Sequence, residues 1–349
     1  MRKFLRLLCL AVTISAILLS GTLLTSCSPG TTIYVYNWGD YIDEDVLKSF
    51  TKETGIRVNY STFARNEDMY TRLVSGANSY DVIFPSDYMI SKLIAEDLIE
   101  KLDFGNIPNF SNIDERFVDL HYDPTNEYSV PYMWGTMGIL YNTTMVDEEV
   151  DSWDILWNEK YRRQIFMYES MRDVFVAPQK RLGFSVNDTN IDNLNAVKRS
   201  LSEQKPLVLA YVDDIIKDKM IGNEAALAMM FSGDAFYCIE ENEDLAFSVP
   251  KEGSAVWYDA MVIPKGSRNK KEAEMFIDYL CRPDIALKNT EYIGYSTTNA
   301  EAFKLLPQEW RDDPVYWAPD DVLARCEIML DLGVFTQEYD RAWVEILIS

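Results

Sequence analysis

From residue 32 onward the chain alternates short apolar strands with amphipathic helices, and that alternation narrows its fold more than any other feature. Residues 32–37 read as a strand; Asp43-Glu44-Asp45 opens a helix with acids in its first turn, apolar Val46, Leu47 and Phe50 on one side, and Gly55 as its stop. Residues 56–62 form a second strand, Asn66 caps a helix carrying Met69 and Leu73, and residues 81–84 form a third strand. This βαβαβ order implies an α/β protein with a mainly parallel, doubly wound sheet. A long apolar and aromatic run, residues 130–141, reads as a strand crossing between lobes, with Gly135 and Gly138 allowing backbone rotation or close approach. Strands follow at 164–167, 208–211, 226–230 and 245–249, with helices at 171–182 and 191–203. Residues 256–264 read as the return crossing, and the chain from Lys270 is mainly helical. A length of 349 residues with 48% hydrophobic content favours two domains over one.

Lys and Arg total 33 against 56 Asp and Glu, a formal charge of −23, so nucleic acid is excluded as a natural partner and cations are favoured. A single histidine, His121, removes imidazole metal clusters and a Ser-His-Asp triad from consideration. Cys9, Cys27, Cys238, Cys281 and Cys326 match no zinc or redox spacing, and no cofactor is expected. Arg2, Lys3 and Arg6 precede an uncharged run from Leu7 to Leu24, as in an export signal. The run ends in Leu24-Thr25-Ser26-Cys27, which resembles a lipobox. Residues 1–26 are therefore expected to be a lipoprotein signal peptide, Cys27 the lipidated residue and 27–31 a tether; an uncleaved anchor would also leave the body of the protein outside the cell.

In a doubly wound sheet, ligands sit beyond the carboxyl ends of the strands. Trp38-Gly39-Asp40-Tyr41 and Ser86-Asp87-Tyr88 lie at two such ends, and Glu169, Asp173, Phe231 and Asp234 collect at others. Helix starts there usually favour anions and are served by Ser, Thr, Gly or Arg. This chain places Asp40, Asp87, Asp173 and Asp234 at or near them instead. Each acid can be an ordinary cap. Their coincidence with Trp38, Tyr41, Tyr88, Phe231 and Trp257 points to an elongated organic cation, since rings attract an ammonium group and cover methylenes while carboxylates pair with the charge. Asp259, within a run of Val, Trp, Met and Ile, is costly to bury unpaired and needs an internal partner or a charged ligand. The same acids and rings also suit a sugar or another cationic metabolite as ligand, or a glycoside hydrolase with two flanking carboxyls.

Several stretches resemble the substrate-binding component of spermidine/putrescine ABC importers: Tyr36-Asn37-Trp38, residues 50–56, residues 66–70, Pro85-Ser86-Asp87-Tyr88, residues 131–135, Trp257-Tyr258-Asp259 and Ile293-Gly294-Tyr295. The resemblance implies a two-lobed periplasmic-binding-protein fold of type II, each lobe a mainly parallel sheet flanked by helices and joined by crossing strands. One lobe is expected to comprise 32–137 and 261–301, the other 138–260 and 302–349. It implies a monomeric receptor, not an enzyme, that delivers a polyamine to a membrane permease. Trp38, Asp40, Tyr41, Ser86, Tyr88, Asp173, Trp257, Asp259 and Tyr295 match positions lining the polyamine site, and Asp234 matches an acid of putrescine-preferring relatives. Phe231 replaces a tryptophan typical of the family, Gly39 a hydroxyl residue, Ser170 an acid and Met329 a glutamine. These departures leave the choice between spermidine and putrescine open.

Overall fold

In the computed structural model, residues 30–76, 80–213 and 215–348 are described; the expected signal segment and Cys27 lie outside them. The first strand, β1 (Thr32–Trp38), runs parallel to β2 (Arg57–Phe63) and to the short β3 (Val82–Ile83). Helix α1 (Glu44–Thr54) starts where the Asp43 carboxylate accepts from Asp45 N–H and stops at Gly55, whose φ of 75° only glycine adopts freely. Helix α2 (Asn66–Val74) differs from expectation at its start: Arg65 is the cap position, and the buried Asn66 side chain reaches away to Ser86 N–H and the Tyr88 hydroxyl. Strand β3 is shorter than its sequence suggests because the Phe84 carbonyl is taken by the Trp38 indole N–H at 2.8 Å. Helix α3 (Asp87–Ala95) follows it.

Strand β4 (Ser129–Asn142) joins the two lobes. Its first half, Ser129 to Thr136, pairs antiparallel with β9 (Ala255–Val262); from Met137 to Tyr141 it pairs antiparallel with β7 (Leu227–Phe231). The handover falls between Gly135 and Gly138. A Cβ on Gly135 would sit 2.7 Å from the Trp257 ring and 2.8 Å from Ser232 Oγ, so glycine is required there for close approach.

The second lobe's strands β5 (Ile165–Tyr168), β6 (Val208–Val212) and β7 are parallel, and β8 (Leu245–Ser248) pairs antiparallel with β4. The helix expected over 171–182 is two short ones, α4 (Met171–Val174) and α5 (Val176–Arg181). Pro178 has no N–H to donate to the Val174 carbonyl, which accounts for a break at that turn. Helix α6 (Ile191–Gln204) packs against the C-terminal helix Thr336–Ile348; α7 (Ile216–Ile221) leads into β7, and α8 (Ser232–Glu241) leaves it.

Each lobe has its own apolar core. One gathers Val35, Phe50, Phe84, Trp134 and Phe276; the other Phe166, Val176, Leu201, Met229 and, from the C-terminal helix Thr336–Ile348, Tyr339 and Trp343. Ala318, Val322 and Leu323 pack against the first core, Met329 within the second. Among the described residues no helix is long and apolar enough to cross a membrane.

Candidate functional site

The carboxyl ends of β1, β3, β5 and β7 open onto one cleft of about 340 Å³, within the range of small-molecule sites. From the first lobe it is lined by Trp38, Asp40, Tyr41, Ser86, Tyr88 and Tyr295. Asp173, Phe231, Asp234 and Trp257 line it from across the cleft. The site residues expected from sequence are thus brought together, with one qualification: Asp259 sits behind the wall rather than on it, its Oδ2 accepting from the Tyr41 hydroxyl at 2.8 Å.

Local structure explains how the first wall is held. The fully buried Asn37 ties down the 37–41 loop, its Nδ2 donating to the Tyr41 carbonyl and its Oδ1 accepting from Trp38 N–H. The Tyr132 hydroxyl also donates to that carbonyl, and Asp40 takes a left-handed φ of 48°, which Asp tolerates better than most residues. Asp40 is exposed, so Trp38 and Tyr41 do not enclose it as its sequence neighbours suggested. Trp38 packs on Phe63 at a centroid distance of 4.4 Å.

A continuous arc of rings crosses the cleft. Tyr41 meets Tyr295 at 5.5 Å, Tyr295 meets Trp257 at 5.2 Å, Trp257 meets Phe231 at 5.7 Å and Phe231 stacks on Tyr168 at 4.7 Å. Edge-to-face and offset geometries of this kind favour ring pairs and present π-faces to a cation. Tyr295 depends on Gly233, because a Cβ there would fall 1.5 Å from its ring. Carboxylates stand at both ends: Tyr41 donates to Asp259, and the Tyr168 hydroxyl lies 3.4 Å from Asp234 Oδ2 while accepting from Phe231 N–H.

Burial dominates two of the acids. It raises Asp259 to about 7 against the opposing Ser86 and Tyr41 hydroxyls, and Oδ1 of Asp259 is buried without a hydrogen-bond partner. Burial likewise raises Asp173 to about 6, with the Ser170 hydroxyl acting against it. Both acids therefore hold their protons more tightly than an exposed carboxyl does. Asp87 behaves differently from the other strand-end acids: it is completely buried and its carboxylate accepts from Tyr88 N–H and Tyr258 N–H, which makes it a framework residue.

Sequence reasoning missed several lining groups. Glu67 accepts from the Tyr88 hydroxyl at 3.0 Å, Arg65 pairs with Asp68, and Asp213 and Lys217 line the second lobe's side. Lys217 Nζ lies 3.5 Å from Asp234 Oδ1. A polar residue directly after a strand was the available signal for Asp213; none marked Lys217.

Comparison with known proteins agrees with this geometry. Residues 45–317 match the bacterial extracellular solute-binding protein family. The chain is 35% identical over 317 residues to the spermidine/putrescine-binding periplasmic protein of Escherichia coli K12, covering 90% of this chain and 91% of that one. Among solved structures it resembles a chain from Listeria monocytogenes described as a spermidine/putrescine ABC transporter, at 41% identity and a TM-score of 0.89, over 91% of this chain and 99% of that one. It also resembles the substrate-binding protein of a spermidine/putrescine ABC transporter from Streptococcus pneumoniae, at 39% identity and a TM-score of 0.80 over the same shares. These matches set aside the glycoside hydrolase reading: the two-lobed chain belongs to the bacterial extracellular solute-binding protein family.

Proposed function

We propose that the protein is an extracytoplasmic receptor that encloses a polyamine, spermidine or putrescine, between its lobes and delivers it to the membrane permease of an ABC importer. The observation that carries this reading is the ring arc flanked by two acids that burial raises, Asp259 behind Tyr41 at one end and Asp173 on the facing wall. A diamine needs two separated anionic points and an apolar path between them. A sugar would leave the raised, underbonded Asp259 without a charge partner. The names of the E. coli, Listeria and Streptococcus relatives support the same ligand class.

In this reading Asp259 and Asp173 pair with amines, Asp40 supplies charge at the mouth, and Trp38, Tyr41, Tyr88, Phe231, Trp257 and Tyr295 cover the methylenes, with Ser86 beside Asp259. The lobes hinge about β4 and β9. Packing of Ala318, Val322 and Leu323 favours placing residues up to about 328 with the first lobe rather than only 261–301. Cys27 carries the lipid anchor, and the receptor acts as a monomer. Thermal melting of ligand-stripped protein with putrescine, spermidine, an amino acid and an oligosaccharide tests the ligand class. Stabilisation by a polyamine alone is expected; stabilisation by the oligosaccharide alone would replace the reading with a sugar receptor.

A further inference from the structure

We propose that Lys217 is a resident ammonium that occupies the Asp234 end of the cleft and thereby sets ligand length, favouring a diamine over a longer triamine. The inference rests on the polyamine reading and deepens it.

Among the described residues, the lining of the cleft carries many carboxylates but two cations, Arg65 and Lys217. Arg65 is exposed and holds Asp68 bidentately, Nε to Oδ2 at 3.0 Å and Nη2 to Oδ1 at 3.2 Å, three residues along its own chain. Lys217 acts across the structure. Its Nζ reaches Asp234 Oδ1 at 3.5 Å, with the lysine side chain 26% exposed and the Asp234 side chain 12% exposed. The pairing is fixed by backbone: α7, which carries Lys217, is tied to α8, which carries Asp234, by Cys238 Sγ against the Lys217 carbonyl at 3.8 Å. The Asn242 side chain, at the end of α8, reinforces this by donating to the carbonyl of Ile221, the last residue of α7, at 3.0 Å.

The chemistry of the side chain is what makes this a matter of specificity. A lysine ends in a four-carbon stem bearing an ammonium, the same group as the aminobutyl arm of a polyamine. Placed on Asp234 beside the Tyr168 hydroxyl, it fills the position that such an arm would otherwise take. A ligand ammonium directed to Asp234 meets a like charge and has to displace an existing pair. The acids raised by burial that are left to read the ligand are then Asp173 and Asp259. Two amines can be served there; a third has lost Asp234 to the protein's own lysine and meets only more exposed carboxylates such as Asp40.

The test is calorimetric titration of putrescine and spermidine into the ligand-stripped parent protein and into Lys217→Met and Lys217→Arg. Methionine keeps the apolar stem and removes the charge; melting temperature confirms that each variant is folded. Lys217→Met is expected to raise the spermidine-to-putrescine affinity ratio by up to roughly fivefold, the size of a partly exposed charge pair. Lys217→Arg is expected to retain the parent ratio, because it keeps a cation on Asp234. An unchanged ratio in folded Lys217→Met, or a ratio in Lys217→Arg that shifts as far as in Lys217→Met, overturns the inference while leaving the polyamine reading intact. A parent that binds neither polyamine overturns the reading itself and the inference with it.

Discussion

The two walls of the cleft are built on different principles. The first-lobe wall is a braced aromatic surface: the Trp38 indole is held by the Phe84 carbonyl, Tyr41 by Asp259, and Tyr88 by Asn66 and Glu67, each bond closing a span of more than twenty residues except where Asn37 ties its own loop. The facing wall has fewer such braces and more charge, with Asp173 raised by burial and Asp234 paired to Lys217. In the proposed reading, rigid rings set where the methylenes lie and carboxyls set which cation is accepted. Magnitudes favour the second as the source of selectivity. Burying four methylenes contributes on the order of 3 kcal/mol to any diamine of that length, whereas losing one member of a buried charge pair costs roughly 2–5 kcal/mol.

The most severe way to break this division is Asp259→Asn. Polyamine affinity is expected to fall by about 2–5 kcal/mol, roughly thirtyfold to several thousandfold by calorimetry. Folding stability at pH 8 is expected to hold or rise, because burial already disfavours the Asp259 carboxylate. A parallel loss of stability and affinity would make Asp259 a framework acid like Asp87.

Gly233→Ala attacks the junction of the walls. A methyl group 1.5 Å from the Tyr295 ring forces that ring out of the arc, at a cost of about 1–3 kcal/mol in stability seen in denaturant unfolding, with weakened binding. Unchanged affinity would show that Tyr295 does not cover the ligand.

Protonation gives opposite signs for binding and stability, which separates charge from packing. An acid with a raised folded-state pKa adds stability that is complete below its unfolded value near 4 and is lost as pH rises through about 6 for Asp173 and about 7 for Asp259. The empty protein should therefore gain stability from these two groups as pH falls from 8 to 5. Affinity for a polyamine should fall over the same window, by up to about tenfold per unit for each protonated acid. Melting and binding curves that move in the same direction would remove both acids from the site.

The gentlest change is Trp38→Phe, which keeps a ring but removes the 2.8 Å bond to the Phe84 carbonyl. A loss of about 1 kcal/mol in binding or stability, under tenfold, is expected.

Much of the framework was legible in the chain because its signals are local. Asp43 and Gly55 mark α1 at both ends, and the parallel strands follow from apolar runs between turn residues. The coincidence of acids and rings at strand ends also located the cleft, since strand direction in an α/β sheet fixes which end faces a ligand. Orientation was not legible. Asp87 and Asp40 occupy similar positions after strands, yet one turns inward to Tyr88 and Tyr258 N–H groups and the other stands exposed. Asn66 looks like a cap but bridges to Ser86 and Tyr88. Lys217 carried no signal at all, because its significance comes from the packing of α7 on α8, a tertiary fact.

The central claim is that ammonium groups of the ligand meet Asp259 and Asp173. It is tested most directly by measuring proton release on binding: calorimetric titration of a polyamine at pH 7 in buffers of different ionisation enthalpy. With Asp259 near 7 and Asp173 near 6 in the empty protein, binding should release about half a proton per ligand at pH 7 and more at pH 6. Tight binding with no proton release at either pH would contradict the account.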